Sequence, residues 1–159
     1  MAILISEDEE IKSSLELIFL KDKIQNKIAI SWIPYRILLV SGERKLAYEL
    51  ESKNKGAGDY VLALKPINEI ENLINGIKNF LKNKESTMFS FEPNETSFEL
   101  ILEKSHKGYS VTCWVDAGNV ISDHYTWDGF GVRFFTSENN ILSFTEELNK
   151  EKEELFNVC

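Results

Sequence analysis

Apolar residues in the first half of the chain form short runs of strand length. Such runs, rich in β-branched side chains, are typical of β-strands. They are residues 15–20, 28–32, 37–40, 45–50 and 60–64. Pro34 and the Ser41-Gly42 pair separate three of them, and the loop 53–59 contains two glycines and no apolar side chain larger than alanine. The first part of the chain is therefore predicted to be rich in strands.

A helical pattern replaces these runs near residue 66. Seven apolar residues then recur at spacings that place them on one face of a helix. They are Ile67, Ile70, Leu73, Ile74, Ile77, Phe80 and Leu81. Pro66 is suited to a first helical turn, and the pattern ends near Asn83. The pattern predicts a helix over about residues 66–83, with its apolar face packed on a sheet.

Period-two alternation follows this helix and predicts strands again. Residues 98–103 and 109–116 alternate, and His106-Lys107-Gly108 between them predicts a hairpin turn. Two further strands, 120–125 and 130–135, are expected on either side of the Trp127-Asp128-Gly129 turn. Three phenylalanines around the turn 92–95 are predicted to pack in the core. They are Phe89, Phe91 and Phe98.

A second helix is predicted over about residues 137–155. Thr136 or Ser137 can cap its first turn, and Glu138 is well placed near the positive end of its dipole. Its predicted inner face consists of Ile141, Phe144, Thr145 and Leu148. The charged end, residues 150–155 (KEKEEL), is interpreted as solvated.

These elements predict an α+β fold in a single domain, residues 1–159, with residues 1–14 as a candidate flexible segment. We expect a mainly antiparallel, twisted sheet of about six to nine strands with the two helices packed on it. The chain shows no internal repeat, linker or low-complexity segment that would mark a domain boundary.

Composition agrees with one globular domain: 159 residues, 43% hydrophobic and 28% charged. Cys113 lies in an apolar run and Cys159 is the last residue, which disfavours a disulfide framework and favours a reducing compartment. Residues 1–12 lack the apolar stretch of a secretory signal, and no run reaches membrane-spanning length. A cytoplasmic protein is predicted.

The net charge of -8 and the pI of about 4.9 argue against nucleic acid as a ligand, because phosphate binding depends on lysine and arginine. An acidic chain favours a basic partner. The same acidity is also a general means of keeping a protein in solution.

Recognisable catalytic motifs are absent. The glycines at 56 and 58 lack the lysine and hydroxyl residue of a phosphate-binding loop, and neither a nucleophile elbow nor a Cys-x-x-Cys pair occurs. The two histidines, His106 and His124, do not suffice for a zinc site built from histidine and cysteine. The sequence therefore predicts no catalytic residue, resident metal or cofactor, and a protein that is not an enzyme.

The segment 116–135 (DAGNVISDHYTWDGFGVRFF) combines acidic, amide and aromatic side chains. Tyrosine and tryptophan are frequent anchors of protein interfaces, and carboxylates around them attract a basic partner. The predicted partner-binding residues are Glu92, Glu95, Asp116, Asn119, Asp123, Tyr125, Trp127 and Asp128. The alternative is that the aromatic residues, with nearby Trp114 and Phe130, only cover the sheet, and that the aspartates shape turns.

Two other functions stay open on the sequence. A metal-dependent hydrolase would use Asp116, Asp123 and Asp128 for a divalent cation and His124 as base, although these carboxylates do not share one regular face. An interaction or scaffold domain would instead pair with a second copy through a sheet edge or its aromatic patch.

Two longer stretches of the sequence resemble a known family. They are FSFEPNETSFELIL at 89–102, preceded by the helix INEIENLINGIKNFL, and GVRFFTSENNILSFTEELNKE from Gly131. Together they resemble the WapI-type immunity proteins of bacterial polymorphic toxin and contact-dependent inhibition systems, over most of the chain from about Ile28. The resemblance implies a small cytosolic protein that occludes a cognate toxin domain, often a nuclease. It supplies no functional residues.

Overall fold

The computed structural model describes residues 1–20, 33–48, 63–64, 69–93, 98–116 and 129–156. These residues form nine strands and two helices, which confirms the predicted α+β class. The strands are β1 Ala2–Ile5, β2 Ser13–Phe19, β3 Ile33–Ser41, β4 Arg44–Tyr48, β5 Ala63–Leu64, β6 Met88–Phe91, β7 Phe98–Ser105, β8 Gly108–Asp116 and β9 Gly129–Thr136. The helices are α1 Glu71–Lys82 and α2 Glu138–Phe156. The predicted strands 28–32 and 120–125 lie outside the described residues.

The first sheet contains β1 to β5, and all of its described pairings are antiparallel. Its order is β1-β2-β3-β4, and β5 pairs with the start of β3. Residues 1–14, the candidate flexible segment, include β1, in which Ala2 is opposite Leu17 and both side chains are buried. Alternate residues of β1, β2 and β3 point into the core, as period-two strands require.

The second sheet contains β6-β7-β8-β9 in that order, again with antiparallel neighbours. The predicted hairpin between β7 and β8 is confirmed, with Ser105 opposite Gly108. Gly108 has a φ of 108°, and a Cβ there would lie 2.8 Å from the Thr136 carbonyl oxygen, so glycine is required at this turn. The described strands thus belong to two sheets rather than to one.

One hydrophobic core connects the two sheets and the helices. Across it, the rings of Tyr35 and Phe98 meet edge to face with centroids 5.6 Å apart. The three phenylalanines predicted in the core are confirmed there: Phe91 and Phe98 are buried, and Phe89 packs against the buried cluster.

Helix α1 buries the predicted apolar stripe, from Leu73 to Phe80. Lys104, at the end of β7, donates a 2.6 Å hydrogen bond to the Asn83 carbonyl oxygen and lies 5.1 Å from the Phe80 ring centroid. A cation at this position is favourable because the carbonyl end of a helix carries partial negative charge. Neither described helix is both long and apolar enough to cross a membrane.

Helix α2 begins after Ser137, whose Oγ accepts a 3.3 Å hydrogen bond from the Asn140 backbone N–H, as predicted for a cap. Its predicted inner face is confirmed: all four residues from Ile141 to Leu148 that were assigned to it are buried.

The charged end of α2 is not wholly solvated, so that interpretation was wrong. Glu151 is only 6% exposed; its carboxylate accepts a 3.3 Å hydrogen bond from the Phe19 N–H and pairs with the Met1 nitrogen. One turn earlier, Glu147 accepts a 2.9 Å hydrogen bond from the Ile3 N–H. These carboxylates accept hydrogen bonds from backbone N–H groups of β1 and β2, and they thereby connect α2 to the first sheet.

Candidate partner-binding face

The second sheet has an inner face in the core and an opposite, outer face. Along β8, Val111, Cys113 and Val115 are buried, whereas Trp114 between them is 45% exposed. We use "outer face" for the side of β6 to β9 that carries Met88, Glu99, Ile101, Glu103, Thr112, Trp114, Arg133 and Phe135. Three of its large hydrophobic side chains are exposed: Met88, Trp114 and Phe135.

Trp114 is the best-placed aromatic side chain of this face. It is opposite Gly131 in the β8–β9 ladder. A Cβ at Gly131 would lie 2.8 Å from Trp114 Cδ2, and one at Gly129 would lie 3.8 Å from Cε3, so the indole rests on the bare backbone of β9. An aromatic residue opposite a strand glycine covers backbone that the glycine leaves open. The indole is thereby held in place while nearly half of its surface stays accessible.

At the centre of the outer face, a side-chain hydrogen bond joins β9 to β8. Arg133 Nε donates a 3.0 Å hydrogen bond to Thr112 Oγ1, and Thr112 is only 3% exposed. Towards the far end of β9, Phe135 is 44% exposed, and Lys107 Nζ lies 5.9 Å from its ring centroid. Exposed aromatic surface therefore lies at both ends of β9, with a fixed arginine between.

Behind Trp114, Cys113 is fully buried. Burial, and to a smaller degree the neighbouring Glu99 carboxylate, raises the pKa of its thiol far above the ordinary value of 9.0. The thiol therefore stays protonated at neutral pH and is not a nucleophile, since the thiolate is the reactive form. Cys113 serves packing.

Two of the eight predicted partner-binding residues lie in the described part of the chain. Asp116 is the last residue of β8, two positions beyond Trp114 and opposite Gly129. Glu92 directly follows β6 and is exposed. The other six lie outside the described residues: Glu95, Asn119, Asp123, Tyr125, Trp127 and Asp128.

The residues suggested for a metal-dependent hydrolase are likewise only partly described. Asp116 is placed by the structure, whereas Asp123, His124 and Asp128 lie outside it. Within the described ranges, no group of three or more histidine, cysteine, aspartate or glutamate residues could hold a metal ion.

A further surface, which the sequence interpretation missed, lies where β1 meets β9. The Glu7 N–H donates a 3.0 Å hydrogen bond to the Phe135 carbonyl oxygen, and Thr136 Oγ1 donates one of 2.6 Å to the Ile5 carbonyl oxygen. Residues 6–12 connect β1 to β2, and we call residues 6–11 the junction turn. The acidic cluster Glu7 to Glu10 was visible in the sequence, but its position beside Phe135 depends on a contact across more than 120 residues.

Asp8 shapes this junction turn. Its Oδ1 accepts hydrogen bonds of 2.9 Å from the backbone N–H groups of Ile11 and Glu10. These two bonds, with Ile11 the larger influence, lower the pKa of the Asp8 carboxyl. The turn therefore has a defined backbone that presents Glu9 and Glu10 to solvent.

The sequence matches no known protein-family model and no curated protein. The resemblance to immunity proteins stays a prediction.

Proposed function

We propose that this chain is an immunity protein that binds a cognate bacterial toxin domain in the cytoplasm and neutralises it by occlusion, without catalysis. The observation that supports the proposal best is Trp114, a half-exposed indole fixed on the backbone of β9. The toxin is expected to be basic, as a nuclease that binds phosphate is.

A fixed, half-exposed tryptophan is suited to binding a protein. Binding costs free energy when mobile side chains become ordered, and the contact with Gly131 has already restricted the indole. Tryptophan is also enriched among the few residues that dominate interface energetics. The outer face therefore offers a partner a pre-formed anchor.

Most of the predicted partner-binding residues lie between β8 and β9, and both ends of that connection are beside this anchor. The two ends, Asp116 and Gly129, are paired at the same end of the second sheet, two positions beyond Trp114 and Gly131. We propose that Tyr125 and Trp127 provide further anchors and that Asp116, Asp123 and Asp128 pair with basic residues of the toxin. Glu92 and Glu95 are the proposed acidic neighbours.

Charge supports a basic partner. With a net charge of -8, the chain attracts a positively charged protein over distances comparable to the Debye length, about 8–10 Å at physiological salt. A nuclease concentrates lysine and arginine where it holds phosphate. Acidic side chains that pair with those residues block the substrate, which is neutralisation by occlusion.

The test is capture with the tagged protein from a lysate of its own source, washed at low and then at high salt, with mass spectrometry of the retained proteins. Three baits are compared: the unchanged chain, Trp114→Ala, and Leu142→Ala as a matched control. Leu142 is an exposed large hydrophobic residue on α2, away from the outer face.

We expect the unchanged chain and the Leu142→Ala control to retain one basic toxin domain and to inhibit its purified activity. Trp114→Ala should lose it in the high-salt wash. Recovery of the chain alone would contradict the proposal and favour a homo-oligomeric interaction module. Equal retention by all three baits would show that the outer face is not the interface.

A further inference from the structure

Exposed apolar side chains collect where the two sheets meet, at the end of β9 opposite to Trp114. Phe135 is 44% exposed, and Ile5, whose carbonyl oxygen accepts the hydrogen bond from Thr136 Oγ1, is 48% exposed. We call these two residues the junction patch. Ile11 is 57% exposed but lies next to Gly42 of the β3–β4 connection and is not part of the patch. A single exposed hydrophobic residue needs no explanation, but two on hydrogen-bonded neighbouring segments, bordered by charge of one sign, are typical of an interaction surface.

Backbone and side-chain hydrogen bonds hold the segments of the junction patch together. Thr136 Oγ1 and Asn140 Nδ2 both donate to the Ile5 carbonyl oxygen, at 2.6 and 3.4 Å. Asn140 Nδ2 also donates to Glu7 Oε1 at 2.9 Å. The patch is thus anchored to β9 and to the start of α2, and a partner would meet it as a formed surface.

The charges around the junction patch select its occupant. Four consecutive acidic residues, 7 to 10, border the patch and are all exposed. They outnumber the two nearby cations, Lys12 and Lys107. Nucleic acid and an anionic membrane are therefore repelled. A second copy of this chain would bring the same acidic turn and a net charge of -8, which makes it unsuited as well.

We infer that a basic segment of the toxin domain docks on the junction patch, with its cationic side chains paired to Glu9 and Glu10. This inference rests on the proposed function and extends its interface along β9. Gly129 and Phe135 are the ends of that path, and six residues of strand span about 20 Å. A surface of this length suits a standard interface of about 800 Å² per partner.

The first test needs no toxin. Nona-arginine is titrated into the isotope-labelled protein, and backbone amide shifts are followed by NMR at low salt. We expect saturable shifts at residues 5–11 and at Phe135, and their loss at high salt because exposed charges are screened. Shifts confined to the acidic, exposed side of α2 would overturn the inference.

The second test uses the captured toxin domain and charge reversal. Glu9→Lys with Glu10→Lys is compared with Glu146→Lys with Glu153→Lys, which makes the same charge change on the exposed side of α2. We expect the junction-turn variant to bind at least about tenfold more weakly, mostly through slower association, and the control to change by less than about threefold. Equal loss in both variants would overturn a docking site at the turn.

The two proposals fail in different ways. If the unchanged chain captures a toxin but reversal at Glu9 and Glu10 leaves its affinity intact, the outer face stands as the interface and the junction inference fails. If no toxin is captured, the proposed function fails, while localised nona-arginine shifts would still identify the junction patch as a site for basic protein segments. Concentration-dependent dimerisation that Phe135→Ala abolishes would overturn the inference in favour of a second copy.

Discussion

The second sheet carries an aromatic ring against a glycine on each of its two faces. On the inner face, Phe89 of β6 lies against Gly76 of α1, where an added Cβ would be 2.8 Å from the ring's Cζ. On the outer face, Trp114 lies against Gly131 of the neighbouring strand. Both glycines allow a close approach that any side chain would prevent.

The surroundings of the two contacts differ. Phe89 is packed against the core, with the Phe80 ring centroid 6.3 Å away, so its contact joins α1 to the sheet. Trp114 lies on the backbone of β9, is opposite Glu99 of β7, and is 45% exposed. An aromatic ring packed on a glycine therefore completes the core on the inner face, whereas on the outer face it forms an accessible anchor. The contact with glycine is the same in both cases. What distinguishes the structural aromatic residue from the candidate binding residue is whether the ring surface that faces away from the glycine is buried.

The largest effect is expected from truncating neighbouring residues on the two faces of β7. Leu102 is completely buried on the inner face, whereas Ile101 is half-buried on the outer face. Leu102→Ala should lower the free energy of unfolding by about 2–5 kcal/mol, because it removes buried methyl groups and leaves a cavity. Ile101→Ala should cost clearly less. Urea unfolding measures both, and equal losses would contradict the assignment of the faces.

Substituting the two glycines sharpens the comparison. Gly131→Ala should destabilise by about 1–3 kcal/mol, because the new Cβ would lie 2.7 Å from the Cys113 carbonyl oxygen as well as against the indole. At Gly76 the obstacle is the end of the Phe89 ring, and alanine favours a helix over glycine by about 1 kcal/mol. Gly76→Ala should therefore cost less in urea unfolding. The reverse order would contradict the account of both contacts.

A smaller effect is expected at alkaline pH from the inner face behind Trp114. The folded state raises the pKa of Cys113, so its contribution to stability is complete below the ordinary value of 9.0 and declines as the pH rises above it. The pKa of Tyr109 is also raised, first by burial and then by its hydrogen bond to Glu138. Its contribution to stability therefore also declines as the pH rises above 10. Stability measured from pH 8 to 10 should fall, and less steeply in Cys113→Ala. A pH-independent profile would contradict the burial of the thiol.

The smallest effect concerns the junction turn. The pKa of Asp8 is lowered in the folded state, so its contribution is present above the ordinary value of 3.8 and is lost as the pH falls below it. A carbon-detected NMR titration should give a pKa below 3.8 for the carboxyl of Asp8. The substitution Asp8→Asn should broaden or shift the backbone amide signals of Glu10 and Ile11. An unshifted pKa would indicate that the turn is not formed as described.

Local patterns predicted much of this fold. The stripe of α1, the inner face of α2 and the β7–β8 hairpin follow from periodicity and turn residues, which act over a few positions. The alternation along β8 that places Trp114 and Cys113 on different faces of the sheet was also visible in the sequence.

Long-range pairing was not predictable in the same way. The all-apolar β1 has no alternation to indicate a face, and its partners lie at Leu17 and, across the chain, at Glu147. Glu151 did carry a signal, because it continues the stripe that includes Leu148 and Leu155, yet a charged run is normally solvated. The junction patch depends on β1 and β9 meeting, which no local pattern encodes.

The most direct test of the central claim measures Trp114→Ala twice, for its free energy of unfolding and for its affinity to the captured toxin domain by calorimetry. Because the indole is an exposed cross-strand partner, its loss should cost only about 1 kcal/mol of stability. As an anchor of the interface, its loss should weaken binding by about thirtyfold, or about 2 kcal/mol. An unchanged affinity in a folded variant would contradict the claim that the outer face binds the partner.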